Sequence, residues 1–302
     1  MIKFNRQYLL TITFTNGSPP LIVQLPITME FDITRSCLGS LNVCQIRLRN
    51  LSQNVRNQLL FNITDSKLFY GVTLQAGYGP TNTSYSANLP IVFSGNITQA
   101  WSVREGTDFI TTLECFDGGY AVNNGVTSLP VPSSSANPTS KQSVIETLAA
   151  SLPTPTGAPF PVGVIGSFPG TLPKGVAYNG NTYDILQDLT NRSFFIDNGV
   201  ANALSEGQCF NGALPIIDDS AGLLGTPVRE HTIITFDMIF EPRLQIGQLI
   251  QFSSTTGPTN FNTQYITQSI KHRGTISGAV SGDATTSTTV YVPNIPIALF
   301  TP

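Results

Sequence analysis

Two histidines, four cysteines and two close pairs of acids are the residues here whose types could do chemistry. His231 and His272 are the only histidines. A histidine can act as general base, proton shuttle or metal ligand, but each role needs a partner placed beside it. Neither has a metal-ligand spacing around it, and both fall on stretches expected to be strands. Cys37, Cys44, Cys115 and Cys209 contain no Cys-x-x-Cys pair, so a zinc or dithiol redox motif is unsupported. Cys44 alternates with Ile46 and Leu48, which points to a core thiol, and all four are expected to be buried and reduced. Glu105 and Asp108 could pose as a carboxylate pair for glycoside cleavage, but three apart between strand signals they read as polar loop residues. Asp218-Asp219 could hold a cation, yet no calcium-loop spacing surrounds them. Nucleophile-elbow and phosphate-loop motifs are absent. The expectation is a chain with no catalytic, cofactor-binding or metal-binding residues, and not an enzyme.

The elements that would carry these residues are mostly strands. Tyr8, Leu10, Ile12 and Phe14 alternate with Leu9, Thr11, Thr13 and Thr15, and Asn16-Gly17 then signals a turn. Leu21 to Ile33 is the clearest period-two run, with Leu21, Val23, Leu25, Ile27, Met29, Phe31 and Ile33 on one face. Pro26 cannot donate to a ladder and marks an edge or bulge in that run. Cys44–Leu48, Leu68–Leu74, Ile91–Phe93, Thr98–Val103 and Phe109–Phe116 continue the β pattern. Ser52 can cap a short helix reaching about Leu60. Residues 117–140 are rich in Gly, Asn, Ser and Pro and read as a loop or linker. A helix is expected over 140–152, after a capping-box pattern of Thr139 with Gln142, and another over Tyr183–Leu189 capped by Thr182. Asn198-Gly199 joins two short strands as a hairpin. Ile234, Phe236, Met238 and Phe240 then restart β alternation, followed by strands at Gln248–Phe252, Gln264–His272 and Thr286–Val292. The fold class that follows is mainly β with a small α+β insertion, divided as residues 1–116, 117–222 and 223–302.

Composition narrows the kind of work. Charged residues make up 11% of the 302, against about 25% in a typical soluble chain. Ser, Thr, Asn and Gln supply the polarity instead, which suits assembly interfaces where desolvating charge is costly. The net charge is −3 but unevenly spread: residues 1–104 sum to about +5 and the rest to about −8. The basic residues are scattered singly, so a solvated or inter-subunit role fits better than nucleic-acid binding. No apolar run is long enough for a membrane helix, and the N-terminal residues lack a signal-peptide pattern. Six Asn-x-Ser/Thr triplets, at Asn16, Asn50, Asn62, Asn82, Asn96 and Asn191, are what chance gives in so Asn- and Thr-rich a chain. Synthesis in a reducing cytoplasm, with free thiols, is the matching expectation.

Three segments resemble baseplate hub proteins of contractile-tailed bacteriophages. Phe31–Leu60 has the family's strand ending in Asn50-Leu51-Ser52 and leading into a short helix with Arg56-Asn57. Gly222–Pro227 followed by Thr235–Ile250 is similar to its strand, Pro break at Glu241-Pro242-Arg243 and Gly247-Gln248 restart. Tyr265–Gly274 fits a strand running into His and Gly. The resemblance implies two tail-tube-like antiparallel β-barrels per chain and a homotrimeric ring of six barrels with a central channel. It implies a virion location in the tail baseplate. The implied partners are further copies of the chain, the tail tube protein, the central spike protein and other baseplate proteins. DNA would pass through without specific binding. A receptor-binding or adhesin β module is the alternative from another class, and the single Trp101 gives it little support.

Overall fold

A computed structural model describes residues 5–60, 69–79, 89–172, 174–253, 263–278 and 282–301. Leu68, Lys3, Lys67 and the triplets at Asn62 and Asn82 lie outside the described residues. The first seven strands are β1 (Arg6–Thr13), β2 (Leu21–Gln24), β3 (Met29–Ser36), β4 (Val43–Arg49), β5 (Tyr70–Tyr78), β6 (Ile91–Glu105) and β7 (Asp108–Phe116). They pair antiparallel in the order β3-β4-β7-β6-β5-β1-β2. Alternate residues from both ends of this ladder fill one core: Tyr8, Leu10 and Ile12 from β1, Met29 and Ile33 from β3, and Ile46 and Leu48 from β4, all inaccessible to solvent. Strands at opposite ends can share a core only if the sheet curls around it. Among the described residues the ladder stays open between β2 and β3. The helix α1 (Gln53–Leu59) is capped by the Ser52 side chain, which accepts from the Val55 amide, and it buries Leu59 in the same core.

Two expectations here need correction. The run from Leu21 to Ile33 is not one strand: it breaks between Gln24 and Met29, where Pro26 removes a ladder donor. The two strands expected at Ile91–Phe93 and Thr98–Val103 are one, β6, whose register slips between Ile97 and Gln99.

The middle of the chain builds its own core. It contains α2 (Gly119–Asn124), β8 (Val126–Val131), β9 (Thr139–Ser140), α3 (Lys141–Ala150), β10 (Val162–Ile165), β11 (Thr171–Leu172), β12 (Val176–Asn181), α4 (Thr182–Leu189), β13 (Phe194–Asp197), β14 (Val200–Ala203) and β15 (Gln208–Phe210). Val144, Ile145, Leu148 and Ala149 of α3 pack with Tyr183 and Leu186 of α4 and Phe194 of β13. Both helices stand where the apolar spacing puts them, but each cap shifts by one residue. Ser140, not Thr139, caps α3 by accepting from the Ser143 amide. Asn181, not Thr182, caps α4, accepting from the Tyr183 and Asp184 amides, while Thr182 is buried. The stretch expected to be linker at 117–140 instead holds α2 and β8, and β8 pairs with β12 as a two-stranded ribbon. The Asn198-Gly199 hairpin is present, with both residues at positive φ as a type I′ turn needs.

The last β region is β16 (Ile216–Ile217), β17 (Leu223–Glu230), β18 (Ile233–Ile239), β19 (Leu249–Phe252), β20 (Gln264–Ile276), β21 (Ala284–Tyr291) and β22 (Ala298–Phe300). Its strands run β17-β18-β21-β20, and β20 then pairs with β3, from Ser269↔Ser36 to Ile276↔Met29. The first and last β regions therefore form one sheet. A second core lies on this side, with Ile234, Phe236, Met238, Ile250, Phe252 and Ile270. The cores interlock across the sequence: Phe240 and Ile276 enter the first, and Cys37, Phe195 and Leu204 enter the second. No helix among the described residues is long and apolar enough to cross a membrane.

Candidate assembly surface and buried polar joint

The structure does not bring the two histidines together. His231 lies in the turn between β17 and β18 at φ 55°, not on a strand, because the hairpin needs a positive-φ residue there. Its carbonyl accepts from Arg229 Nε. His272 lies in β20, fully buried, with Nδ1 2.9 Å from Thr286 Oγ1 and its ring edge-on to Phe240. Nε2 has no partner among the described residues. Burial, and secondarily the nearby Arg35 charge, push its pKa down to about 3, so the ring is neutral.

The cysteines are four buried free thiols. Burial raises the pKa of each, which keeps them protonated and poorly nucleophilic. Cys44 and Cys115 are direct cross-strand partners in β4 and β7, a pairing the sequence spacing does not reveal. Asp218 caps a single 3-10 turn, accepting from the Ala221 amide and from Ser220 Oγ. Among the described residues no group of three or more His, Cys, Asp or Glu is placed to hold a metal ion.

Glu105 and Asp108 belong to a ladder of ion pairs on the outer face of the sheet. Arg47 bonds Glu30 and Glu105, each at 3.1 Å. Arg49 bonds Glu30 at 2.5 Å and Asp108 at 3.5 Å. Lys271 and Arg273 of β20 flank Asp32 of β3 at 3.3 and 3.8 Å. This face is polar because it carries the outward half of each period-two strand. Glu30 and Asp32 alternate with the buried Phe31 and Ile33, and Arg47 with Ile46 and Leu48. A groove of about 420 Å³ runs between these side chains, lined by Glu30, Asp32, Arg47 and Arg273 among others. Exposed pairs of this kind contribute at most about 1 kcal/mol each to stability. Their chemical effect is on the field of the face, since each of these four cations has a carboxylate within 4 Å.

A second polar cluster is buried where the middle region meets the sheet. Arg35 of β3, 2% exposed, bonds Asp197 at the end of β13 through two parallel contacts of 2.8 and 2.6 Å. Asn42 ties β13 to the end of β3: Nδ2 donates to the Ile196 carbonyl at 2.8 Å and to Asp197, and Oδ1 accepts from the Ser36 amide. Asp117, just past β7 and fully buried, accepts from the amides of Asn198 and Gly199. Its pKa is pushed up to about 8, first by burial and then by Asp197; the two amides and Arg35 pull the other way and are outweighed. Sequence reasoning missed this cluster. Its signal was present in parity: Arg35 continues the buried set Met29, Phe31, Ile33, and a charge on a buried face calls for a partner.

The fold is shared with solved structures of low sequence identity. The chain superposes with TM-score 0.62 on a tail protein from Neisseria meningitidis MC58, at 10% identity over 98% of this chain and 100% of that one. The 43 kDa tail protein of prophage MuSo2 from Shewanella oneidensis gives TM-score 0.59 at 11% identity, over 95% of this chain and 98% of that one. The E. coli c3393 protein is described as a type VI secretion component with structural similarity to the T4 tail proteins gp27 and gp5. It gives 0.56 at 12% identity, over 94% of this chain and 77% of that one. The comparison with curated protein sequences found no match. The family model described as baseplate hub gp41 matches residues 9–156, from β1 to just past α3, a little under half of the chain.

Proposed function

We propose that three copies of this chain form the hub ring that joins the sixfold tail tube of a contractile tail to a threefold central spike. The observation that carries this is the single sheet bearing two apolar cores, one on β1–β7 and one on β17–β21. Two lobes per chain give six lobes in a threefold ring, which is the arithmetic a symmetry-adapting joint requires. On this reading each lobe closes as a barrel in the assembled ring, and residues 1–116, 117–222 and 223–302 are the functional units. The chain acts by packing against further copies of itself, the tube, the spike and other baseplate proteins, and it catalyses no reaction.

The outer face with its ion pairs suits the wall of the channel. Each lysine or arginine of the ladder is offset by a carboxylate, so passing phosphates meet little uncompensated positive charge. Cryo-EM of an intact tail tests the assignment. Three copies between tube and spike, with two lobes of each copy in the ring, are expected. Six copies, or a peripheral location, would overturn it.

A further inference from the structure

We propose that the joint between the middle region and the sheet is a proton-dependent latch, in which Asp117 holds the β13–β14 turn closed only while it carries a proton. Three elements converge there: Arg35 comes from β3, Asp197 from β13, and Asp117 follows β7. The charged groups facing Asp117 are thus one guanidinium and one carboxylate; the neutral His272 imidazole lies near Arg35, and the protonated Cys37 thiol lies beside Asp197. Arg35 is already bonded through two nitrogens to Asp197. With both carboxyls ionised the closed joint holds a net negative charge away from water, which is costly. One proton removes it.

Two further observations favour Asp117 as the carrier of that proton. Its carboxyl is 1% exposed, whereas the Asp197 side chain keeps 11% and holds the arginine. Asn198, whose amide bonds Asp117, has a buried Oδ1 with no donor among the described residues; a protonated Asp117 can supply one. The route for relief is local. Asn198 and Gly199 form a half-exposed turn, so lifting it lets water reach Asp117 while Phe195 and Ile196 stay in their cores. Ionised Asp117 also binds the two amides more strongly, which opposes opening, but burial and Asp197 outweigh that contribution.

The sign follows from linkage. The closed form binds the proton more tightly than the open form, whose carboxyl titrates near the ordinary 3.8. Closure is therefore favoured below that value and is progressively lost as pH rises towards about 8. Between pH 6 and 8 the open fraction should rise about fiftyfold, then level off. The test is amide hydrogen exchange of Asn198 and Gly199 in the full chain, corrected for intrinsic exchange, with the β4 amides as internal reference. Wild type should lose protection at the turn over this range while β4 does not, and Asp117→Asn should be flat. Should Asp117→Asn not fold, Asp197→Asn serves: it frees Arg35 for Asp117 and should move the loss to lower pH. A pH-independent turn in wild type, or the same pH dependence after either substitution, overturns the latch.

Discussion

Arg35 decides how much the polar joint matters at the scale of single residues. A guanidinium only 2% exposed is tolerable because Asp197 meets it with two parallel bonds, and Asn42 holds that carboxylate by donating to it. Removing one partner leaves the other charge buried and alone. Arg35→Ala should therefore destabilise the chain by about 3–5 kcal/mol. The double change Arg35→Met with Asp197→Leu should recover most of the loss, measured as urea midpoints. Equal losses in both would show that packing, not charge, is at stake. His272 gives an acid-side prediction. Its folded pKa of about 3 lies below the ordinary 6.5, so its contribution is present above 6.5 and is lost as pH falls towards 3. His272→Gln should flatten the thermal-stability profile between pH 6.5 and 4 relative to wild type; an unchanged slope would sink the assignment. Both residues were legible in part. Each continues the parity of a buried set, Arg35 with Ile33 and His272 with Ile270, yet nothing local in the sequence hints that Asp197 and Asp117 come from opposite sides of the insertion to meet Arg35.

At the scale of elements, turns and outward faces carry the specific devices. Gly118 sits at φ 63° at the start of α2, and a Cβ there would stand 2.5 Å from Ile196 Cδ1. Gly118→Ala combines a left-handed backbone cost of about 1–2 kcal/mol with displacement of Ile196, and should lower the melting temperature measurably. A melting temperature equal to wild type would show that the turn relaxes freely. On the outer face, Glu30 faces both Arg47 and Arg49. Glu30→Gln with Asp32→Asn should cost little stability, because the pairs are exposed. It should, however, leave Lys271 and Arg273 without their carboxylate and Arg47 and Arg49 with one each, Glu105 and Asp108, and so give salt-dependent binding of duplex DNA that wild type lacks. Retention of DNA unchanged between the two proteins, across a salt series, would remove the charge-balancing role. The elements found in sequence were those with strong amplitude: α3, α4, the Asn198-Gly199 hairpin and the strands with one buried face. The β8–β12 ribbon was missed because it is mostly exposed along its length, so alternation leaves no hydrophobic trace. The helix α2 was missed because its cap is Gly118, which offers no side-chain bond to the helix end.

For the whole molecule, the pairing of β20 with β3 makes the first and last β regions one mechanical body. Eight residue pairs join them, His272↔Ile33 near the middle, so the sheet continues without an edge where sequence order alone suggests two separate units. Side chains reinforce the continuity. Phe240 and Ile276 are buried in the first core, and Tyr78 donates its hydroxyl to the Phe240 carbonyl across the same boundary. Neither core can lose its strands without exposing apolar surface in the other, and exposure of apolar surface is the dominant cost of unfolding. A pairing 230 or more residues apart in sequence is also invisible to local periodicity, which explains why the strands were readable and their partners were not. The expectation is that the two β regions unfold together. Differential scanning calorimetry of the full chain should show one transition covering both, with calorimetric and van't Hoff enthalpies in agreement for that unit. Hydrogen exchange during the melt should show β4 and β18 losing protection at the same temperature. Two transitions separated by several degrees, one releasing β17–β21 while β3–β7 stay protected, would show that the β3–β20 ladder is a weak seam. The rigid two-lobed unit needed by a hub ring would then have to come from its neighbours rather than from the chain itself.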